Sequence, residues 1–179
     1  EKEFIGRLGS KGLIARNEGD AAGALNKAAK KIDATYILPF LSHATMEPMN
    51  CTAHVRGDGC DVWVPTQNQT AVQALAVKMT GLKPEQVQVH TTYLGGGFGR
   101  RFETDFVEEA LTLSMATGKP VKLIWKREED MRNDFYRPMN ISRIAGALDN
   151  RGHATAWSHA IACPSIFARV FPQMMKNGI

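Results

Sequence analysis

Five residues, Gly95-Gly96-Gly97-Phe98-Gly99, constrain the fold of this chain more than any other stretch. Before them, Val87, Val89, Thr91 and Tyr93 alternate with polar residues as on a strand. After them, Phe106 to Ala116 carries an apolar face at helical spacing, with Phe106, Ala110 and Leu113 joined by Val107, Leu111 and Ser114. A glycine-rich crossing from strand to helix frees backbone N–H groups, which suit an anion or another strong acceptor. Four glycines around one phenylalanine also admit a close approach that a β-carbon would block. A tight turn without a ligand is the competing reading.

Nucleotide fingerprints do not fit this loop. G-x-G-x-x-G would need glycine at Arg100, counting from Gly95, or at Phe102, counting from Gly97. No Gly-Lys-Ser/Thr follows, which excludes a P-loop. Glu103, Asp105, Glu108 and Glu109 lie just beyond and oppose a pyrophosphate, offset in part by Arg100 and Arg101.

The flanking chain predicts an α+β fold: a mixed sheet, β-hairpins and a strand–Gly-loop–helix–strand unit over 87–125 compatible with βαβ pairing. Residues 1–19 are glycine-punctuated and read as an extended lead-in. Asp20 caps an alanine-rich helix from Ala21 to Ile32, and Ala34 to Leu38 is a strand ending at Pro39. Asn50–Arg56 and Cys60–Val64 flank Gly57-Asp58-Gly59, a hairpin signal. Pro65-Thr66-Gln67-Asn68 then turns a corner into a helix with Val72, Leu75, Ala76 and Met79 on its apolar face, capped by Thr66 or Asn68 and ended by Gly81. Gln67 sits at that corner, where its amide can reach a ligand or serve as a cap. Arg127 to Arg137 reads as a charged loop. Ile141–Leu148 and His153–Ala162 bracket Asp149-Asn150-Arg151-Gly152, a second hairpin signal.

His43 and Glu47 are four apart, but without further ligands that spacing is weak evidence for metal, and Pro48 argues against one helix carrying both. Capping or a buried hydrogen bond is the reading for this segment. Cys51, Cys60 and Cys163 have no metal spacing and read as reduced, partly buried thiols. With 22 basic and 18 acidic residues the net charge is +4, and the basic residues are scattered pairs, so nucleic acid is not an expected partner. No apolar run approaches the roughly 18 residues of a membrane span, and no export signal is visible.

Three pieces in order and spacing resemble the molybdenum hydroxylases, the xanthine dehydrogenase and aldehyde oxidase family. They are Pro65-Thr66-Gln67-Asn68, Gly95 to Gly99, and Lys119-Pro120-Val121-Lys122-Leu123 followed by Glu129-Asp130-Met131. His43-Ala44-Thr45-Met46-Glu47-Pro48 and Gly99-Arg100-Arg101-Phe102-Glu103 look like a narrower group, the large subunit of isoquinoline 1-oxidoreductase-type enzymes. The resemblance runs from about residue 20 to about residue 160, and it implies that 20–162 is a molybdopterin-binding domain and 163–179 a truncated continuation. The chain, which starts at Glu1 rather than Met, is then expected to be a processed product or an excised piece.

The resemblance implies roles. Gln67 matches a glutamine whose amide approaches an oxygen ligand of molybdenum. Gly97, Phe98 and Gly99 match loop residues whose N–H groups face the cofactor, and Arg100 is expected to meet cofactor phosphate. The metal itself is held by the pterin, so no protein metal ligand is expected. A glutamate near the C-terminus of the full subunit acts as base in the family; it lies outside these residues, so no catalytic residue is expected here and the chain alone should be inactive. Xanthine-oxidising members carry a substrate glutamate four residues after the loop phenylalanine. Here that place is Phe102, which points to an apolar N-heterocycle or an aldehyde as substrate. Also implied are the cytosine dinucleotide form of the pterin, iron–sulfur clusters on a small [2Fe–2S] partner subunit, and contact with the rest of the large subunit. Relatives in the narrower group often work in the cell envelope, although the compartment of this chain stays open. A cofactor-free interaction or scaffold module of the same fold is the alternative, with nucleotide binding a distant third.

Overall fold

Helices and strands are interspersed along residues 2–175, the part of the chain that the computed structural model describes. In chain order they are α1 (Lys2–Arg7), α2 (Ala21–Lys27), β1 (Lys30–Leu38), β2 (Asn50–Val55), β3 (Cys60–Val64), α3 (Gln69–Thr80) and β4 (Val87–Thr91). Then follow α4 (Asp105–Thr117), β5 (Val121–Ile124), α5 (Arg127–Arg132), β6 (Asn140–Leu148), β7 (Ala154–Ala162) and α6 (Ile166–Val170). One mixed and one antiparallel sheet, with helices, make this an α+β protein, as expected. The chain divides into two compact units, one of residues 42–136 and one of the segments on either side.

The unit of residues 42–136 is a four-stranded sheet in the order β4-β3-β2-β5. β2 and β3 pair antiparallel around the Gly57–Gly59 turn, with Val55 opposite Cys60 and Thr52 opposite Trp63, so Cys51 and Cys60 are not cross-strand partners. Alternation on β3 sends Cys60, Val62 and Val64 into the core and Asp61 and Trp63 to the other face. The core joins them to Met49, Cys51, Ala53, Val72, Ala76, Val87 and the α4 residues Phe106, Val107, Ala110 and Leu111. Leu113, expected on the core face of α4, is exposed; the buried stripe runs through Ser114 instead, whose hydroxyl donates to Lys119 O and accepts from Val55 N.

The parallel pair of this sheet is β3 with β4, in register from Cys60–Val87 to Val64–Thr91, and α3 is its crossover. That overturns the expectation of βαβ pairing over 87–125, because β4 and β5 lie at opposite edges with β3 and β2 between them. Asn68 caps α3 through a bond from Ala71 N, and Gly81 closes it in the left-handed region at φ 73°. Arg127–Arg132 is a helix rather than a charged loop. Its first turn carries Glu128, Glu129 and Asp130, which complement the helix dipole, and Arg127 pairs with Asp130 three residues on.

The other unit holds the antiparallel sheet β1-β6-β7, with α2 against β6 and β7. The helix expected over 21–32 stops at Lys27. Lys30 and Lys31 instead pair with Leu148 and Ala147 on β6, so strand pairing overrides the helical propensity of the alanine-rich run. Asp20 caps α2 as expected, accepting from Gly23 N at 2.8 Å. Within the lead-in expected to be extended, Lys2–Arg7 is helical, and the stretch after Ala162 carries α6 and a 3-10 turn at Pro172–Met174. Positions 176–179 of that continuation lie outside the described residues.

Candidate functional site

Strand direction assembles the site. β3, β4 and β5 run the same way and β2 runs against them, so the segments after β3, β4 and β5 and the segment before β2 leave one end of the sheet. Residues 43–49, 65–68, 92–103 and 125–134 therefore meet there. Sites built outside the carboxyl ends of parallel strands follow the same geometry.

The glycine loop departs from Thr91, earlier than the alternation predicts, and leaves Tyr93 fully exposed. It does not run straight into α4. A 3-10 turn at Arg100–Phe102 and the residues Glu103 and Thr104 intervene, so the loop's free donors are not those of the α4 N-terminus. Gly96 and Gly99 take φ of 97° and 95°, and Phe98 between them takes φ 54°, a left-handed conformation costly for a bulky side chain. The Phe98 ring is 75% exposed. Among the described residues, the N–H groups of Gly96, Gly97 and Phe98 make no hydrogen bond.

Gln67 lies directly against this loop. Its Oε1 accepts from Gly99 N at 3.0 Å, and a β-carbon on Gly97 would fall 2.6 Å from that oxygen. Gly97 is glycine because the amide occupies the space of a side chain. The Gln67 Nε2 donor makes no hydrogen bond among the described residues. Glu47 holds the other end of the loop in the same manner: its Oε2 accepts from Gly95 N at 2.7 Å, its N–H donates to Gly95 O at 3.0 Å, and a β-carbon on Gly95 would fall 2.4 Å from its Cβ.

Two buried arginines support the loop, a feature that sequence reasoning missed. Arg100 is 1% exposed; its guanidinium forks onto Asp105 at 2.9 and 2.6 Å, and its Nε lies 3.2 Å from Asp134 Oδ1, too poorly aligned for a hydrogen bond. The rings of Phe106, Trp125 and Phe135 surround its Cζ at 6.0, 5.4 and 5.1 Å. The guanidinium thus faces into the protein, and the expectation that it meets cofactor phosphate gives way to a supporting role. Arg101 is also fully buried, and burial pushes its pKa down against the pull of Glu47 and Asp130. Phe102 follows, 36% exposed at the end of the turn.

Behind Arg100, His43 Nδ1 meets Asp134 Oδ1 at 2.8 Å, Ser42 Oγ donates to Oδ2 at 2.8 Å, and His43 N–H donates to the same oxygen. Burial opposes ionisation of Asp134, but these bonds outweigh it and hold its pKa below the ordinary carboxylate value. Asp130 is raised, because burial outweighs its contact with Arg127. His43 and Glu47 are thus hydrogen-bonding residues of the framework, as their sequence reading held. Among the described residues no cluster of His, Cys, Asp and Glu could hold a metal ion, and no helix is long and apolar enough to cross a membrane.

Comparison with known proteins agrees with this architecture. Residues 9–165 match the molybdopterin cofactor-binding domain family. The isoquinoline 1-oxidoreductase subunit beta of Brevundimonas diminuta is 36% identical over 132 residues, 73% of this chain and 17% of that protein. The molybdenum-binding subunit PaoC of the aldehyde oxidoreductase of Escherichia coli K12 is 34% identical over 146 residues, 80% of this chain and 20% of its own length. Among solved structures, quinoline 2-oxidoreductase from Pseudomonas putida 86 superposes with a TM-score of 0.61 at 23% identity, over 81% of this chain and 19% of that one, a likeness of fold. The chain belongs to the molybdopterin cofactor-binding domain family of the molybdenum hydroxylases. It spans about a fifth of the length of these relatives.

Proposed function

We propose that these residues form the cofactor-facing part of a molybdopterin-dependent oxidoreductase that hydroxylates an N-heterocycle or oxidises an aldehyde. One observation carries the reading. At the Gly97 cradle, Gln67 spends its oxygen on Gly99 N and keeps its amide donor free, beside the unbonded N–H groups of Gly96, Gly97 and Phe98. A row of donors without partners among the described residues suits a group rich in strong acceptors, which an oxygen-bearing metal centre and its pterin are. When bound, that cofactor supplies the redox chemistry. The chain's part is to bind and orient it: Gln67 through its amide, Gly97 and Phe98 through their backbone N–H groups, and Gly99 by holding Gln67 Oε1 in place, its own N–H being taken by that bond. The strained φ of Phe98 aids this, since strain of that kind persists where the surroundings hold a functional geometry.

Phe102, half-exposed at the far end of the loop, belongs in this proposal to the substrate pocket and favours an apolar ring or an aldehyde over a purine. The base, the rest of the large subunit and a small [2Fe–2S] partner lie outside these residues, so the chain alone is inactive. The cytosine dinucleotide form of the pterin is part of the same proposal. Gln67→Ala in the whole enzyme is the test. Turnover should fall while the unfolding curve stays that of wild type. Active enzyme purified without molybdenum and pterin sinks the proposal, and turnover unchanged in Gln67→Ala favours a scaffold module of the same fold.

A further inference from the structure

Gln67 and the glycine loop come from separate segments, and a cofactor seated between them needs their spacing fixed to a fraction of an ångström. One side chain reaches both. Arg101 Nε donates to Gly96 O at 2.7 Å inside the loop, and its Nη2 donates to Glu47 O at 2.5 Å and meets Glu47 Oε2 at 3.0 Å. Its Nη1 approaches Pro65 O at 3.5 Å, at the corner that carries Gln67. The Arg101 backbone finishes the connection, its carbonyl accepting from Gln67 N at 3.0 Å and from Thr66 Oγ1 at 3.2 Å. Glu47 in turn grips Gly95 from both sides, N–H to O and O to N–H. A closed circuit therefore runs Gly95–Glu47–Arg101–Gly96 on the loop side and Arg101–Gln67–Gly99 on the corner side.

Space-filling alone does not call for this arrangement. A fully buried guanidinium loses its hydration, and a buried ion pair often stabilises a fold no better than apolar residues of the same volume. What a guanidinium offers is a rigid planar fork whose donors bond several carbonyls at fixed angles at once. We infer that Arg101, held by Glu47, is the positioning residue of the cofactor site: it sets the distance between the Gln67 amide and the donor row of Gly96 to Phe98. This inference rests on the cofactor reading above and names the residue pair that gives that site its geometry.

The test uses the whole enzyme with its partner subunit, as wild type and as Arg101→Lys, Glu47→Gln and Gln67→Ala. Lysine keeps the charge but, as a point donor, cannot hold Gly96 O, Glu47 and the corner together; Glu47→Gln keeps the shape and removes the anion. Molybdenum per subunit, the electron paramagnetic resonance spectrum of the partly reduced enzyme and thermal unfolding are measured on each. Arg101→Lys and Glu47→Gln should lower molybdenum content roughly tenfold or more, the range for residues that orient a metal's contacts, and shift the spectrum of what remains. A role in packing alone lowers the unfolding temperature and leaves that spectrum untouched. Full metal with an unchanged spectrum in both variants, while Gln67→Ala alters either readout, overturns the positioning role and leaves the cofactor reading standing. If Gln67→Ala also keeps full metal and the wild-type spectrum, the cofactor reading falls as well. Should Arg101→Lys not fold, Glu47→Gln decides by the same two readouts.

Discussion

Gly97→Ala and Gly95→Ala add the same methyl group two residues apart and should fail in opposite ways. At Gly97 the new β-carbon would lie 2.6 Å from Gln67 Oε1 and 2.7 Å from its Cδ, both at the end of a flexible side chain, and the backbone is not in the left-handed region. Gln67 can swing aside. Bringing its oxygen from 2.6 Å to ordinary van der Waals contact near 3.4 Å moves the amide by roughly 0.8 Å and breaks its bond to Gly99 N. An exposed hydrogen bond contributes about 1 kcal/mol, and replacing glycine by alanine returns about 0.4–1 kcal/mol through the unfolded chain. Stability should therefore change by less than about 1 kcal/mol, while a displacement of that size in a positioned group costs turnover on the order of 100-fold. At Gly95 the β-carbon would lie 2.4 Å from Glu47 Cβ and 3.3 Å from Glu47 N, atoms that cannot withdraw without breaking both Glu47–Gly95 hydrogen bonds. Overpacking of about 1–3 kcal/mol and two bonds of about 1 kcal/mol each put the loss near 3–5 kcal/mol. Urea unfolding of both variants, with molybdenum content and turnover of the whole enzyme, separates the cases. A Gly97→Ala enzyme that turns over like wild type, or one that loses several kcal/mol, refutes the reasoning.

Two further outcomes follow from buried groups. Asp134→Asn removes the anion that accepts from Ser42 and His43 beside the buried Arg100, which keeps Asp105, and should cost about 2 kcal/mol at neutral pH, the scale of a hydrogen bond to a charged group. Because the native contacts lower the Asp134 pKa, its contribution is complete above the unfolded value of 3.8 and is lost as pH falls through the folded one. The stability gap between wild type and variant, measured by urea unfolding, should thus close as the pH is lowered below about 4; a gap independent of pH refutes the assignment. Burial pushes the Cys51 thiol up to about 12 and Cys60 to about 11, whereas Cys163 is exposed. Iodoacetamide near pH 8 should label Cys163 alone in the native chain and all three thiols after denaturation, counted by intact mass.

Local chemistry was legible in the sequence where a residue acts on its own neighbours. The Gly57–Gly59 and Asp149–Gly152 turns, the caps at Asp20 and Asn68 and the glycine stop at Gly81 all lie where the sequence reading put them, because a turn or cap needs only a few contiguous residues. Strand neighbours were not legible. Periodicity identifies β4 and β5 as strands but does not state which edges they occupy, so a unit that looked like one βαβ is a crossover passing two intervening strands. The end of α2 was misread for a related reason: Lys30 and Lys31 become strand only through a partner more than a hundred residues away.

The arginine pair exposes the deeper limit. Arg100 and Arg101 follow a glycine loop and precede acids, and by composition such a pair belongs on a surface or against a phosphate. Their burial depends on Glu47, Asp105, Asp134 and three aromatic rings, and of these only Asp105 and Phe106 lie close in sequence. A loop of four glycines has little side-chain surface with which to fix its own shape, so the fixing has to come from groups that reach its carbonyls and N–H groups from behind. Glu47 and Arg101 do so at Gly95 and Gly96, and Gln67 does so at Gly99. Among the described residues, the N–H groups of Gly96, Gly97 and Phe98 are thereby left without partners. Glycines that make room for Glu47 and Gln67, and charges that are buried to hold those glycines still, are two halves of one requirement.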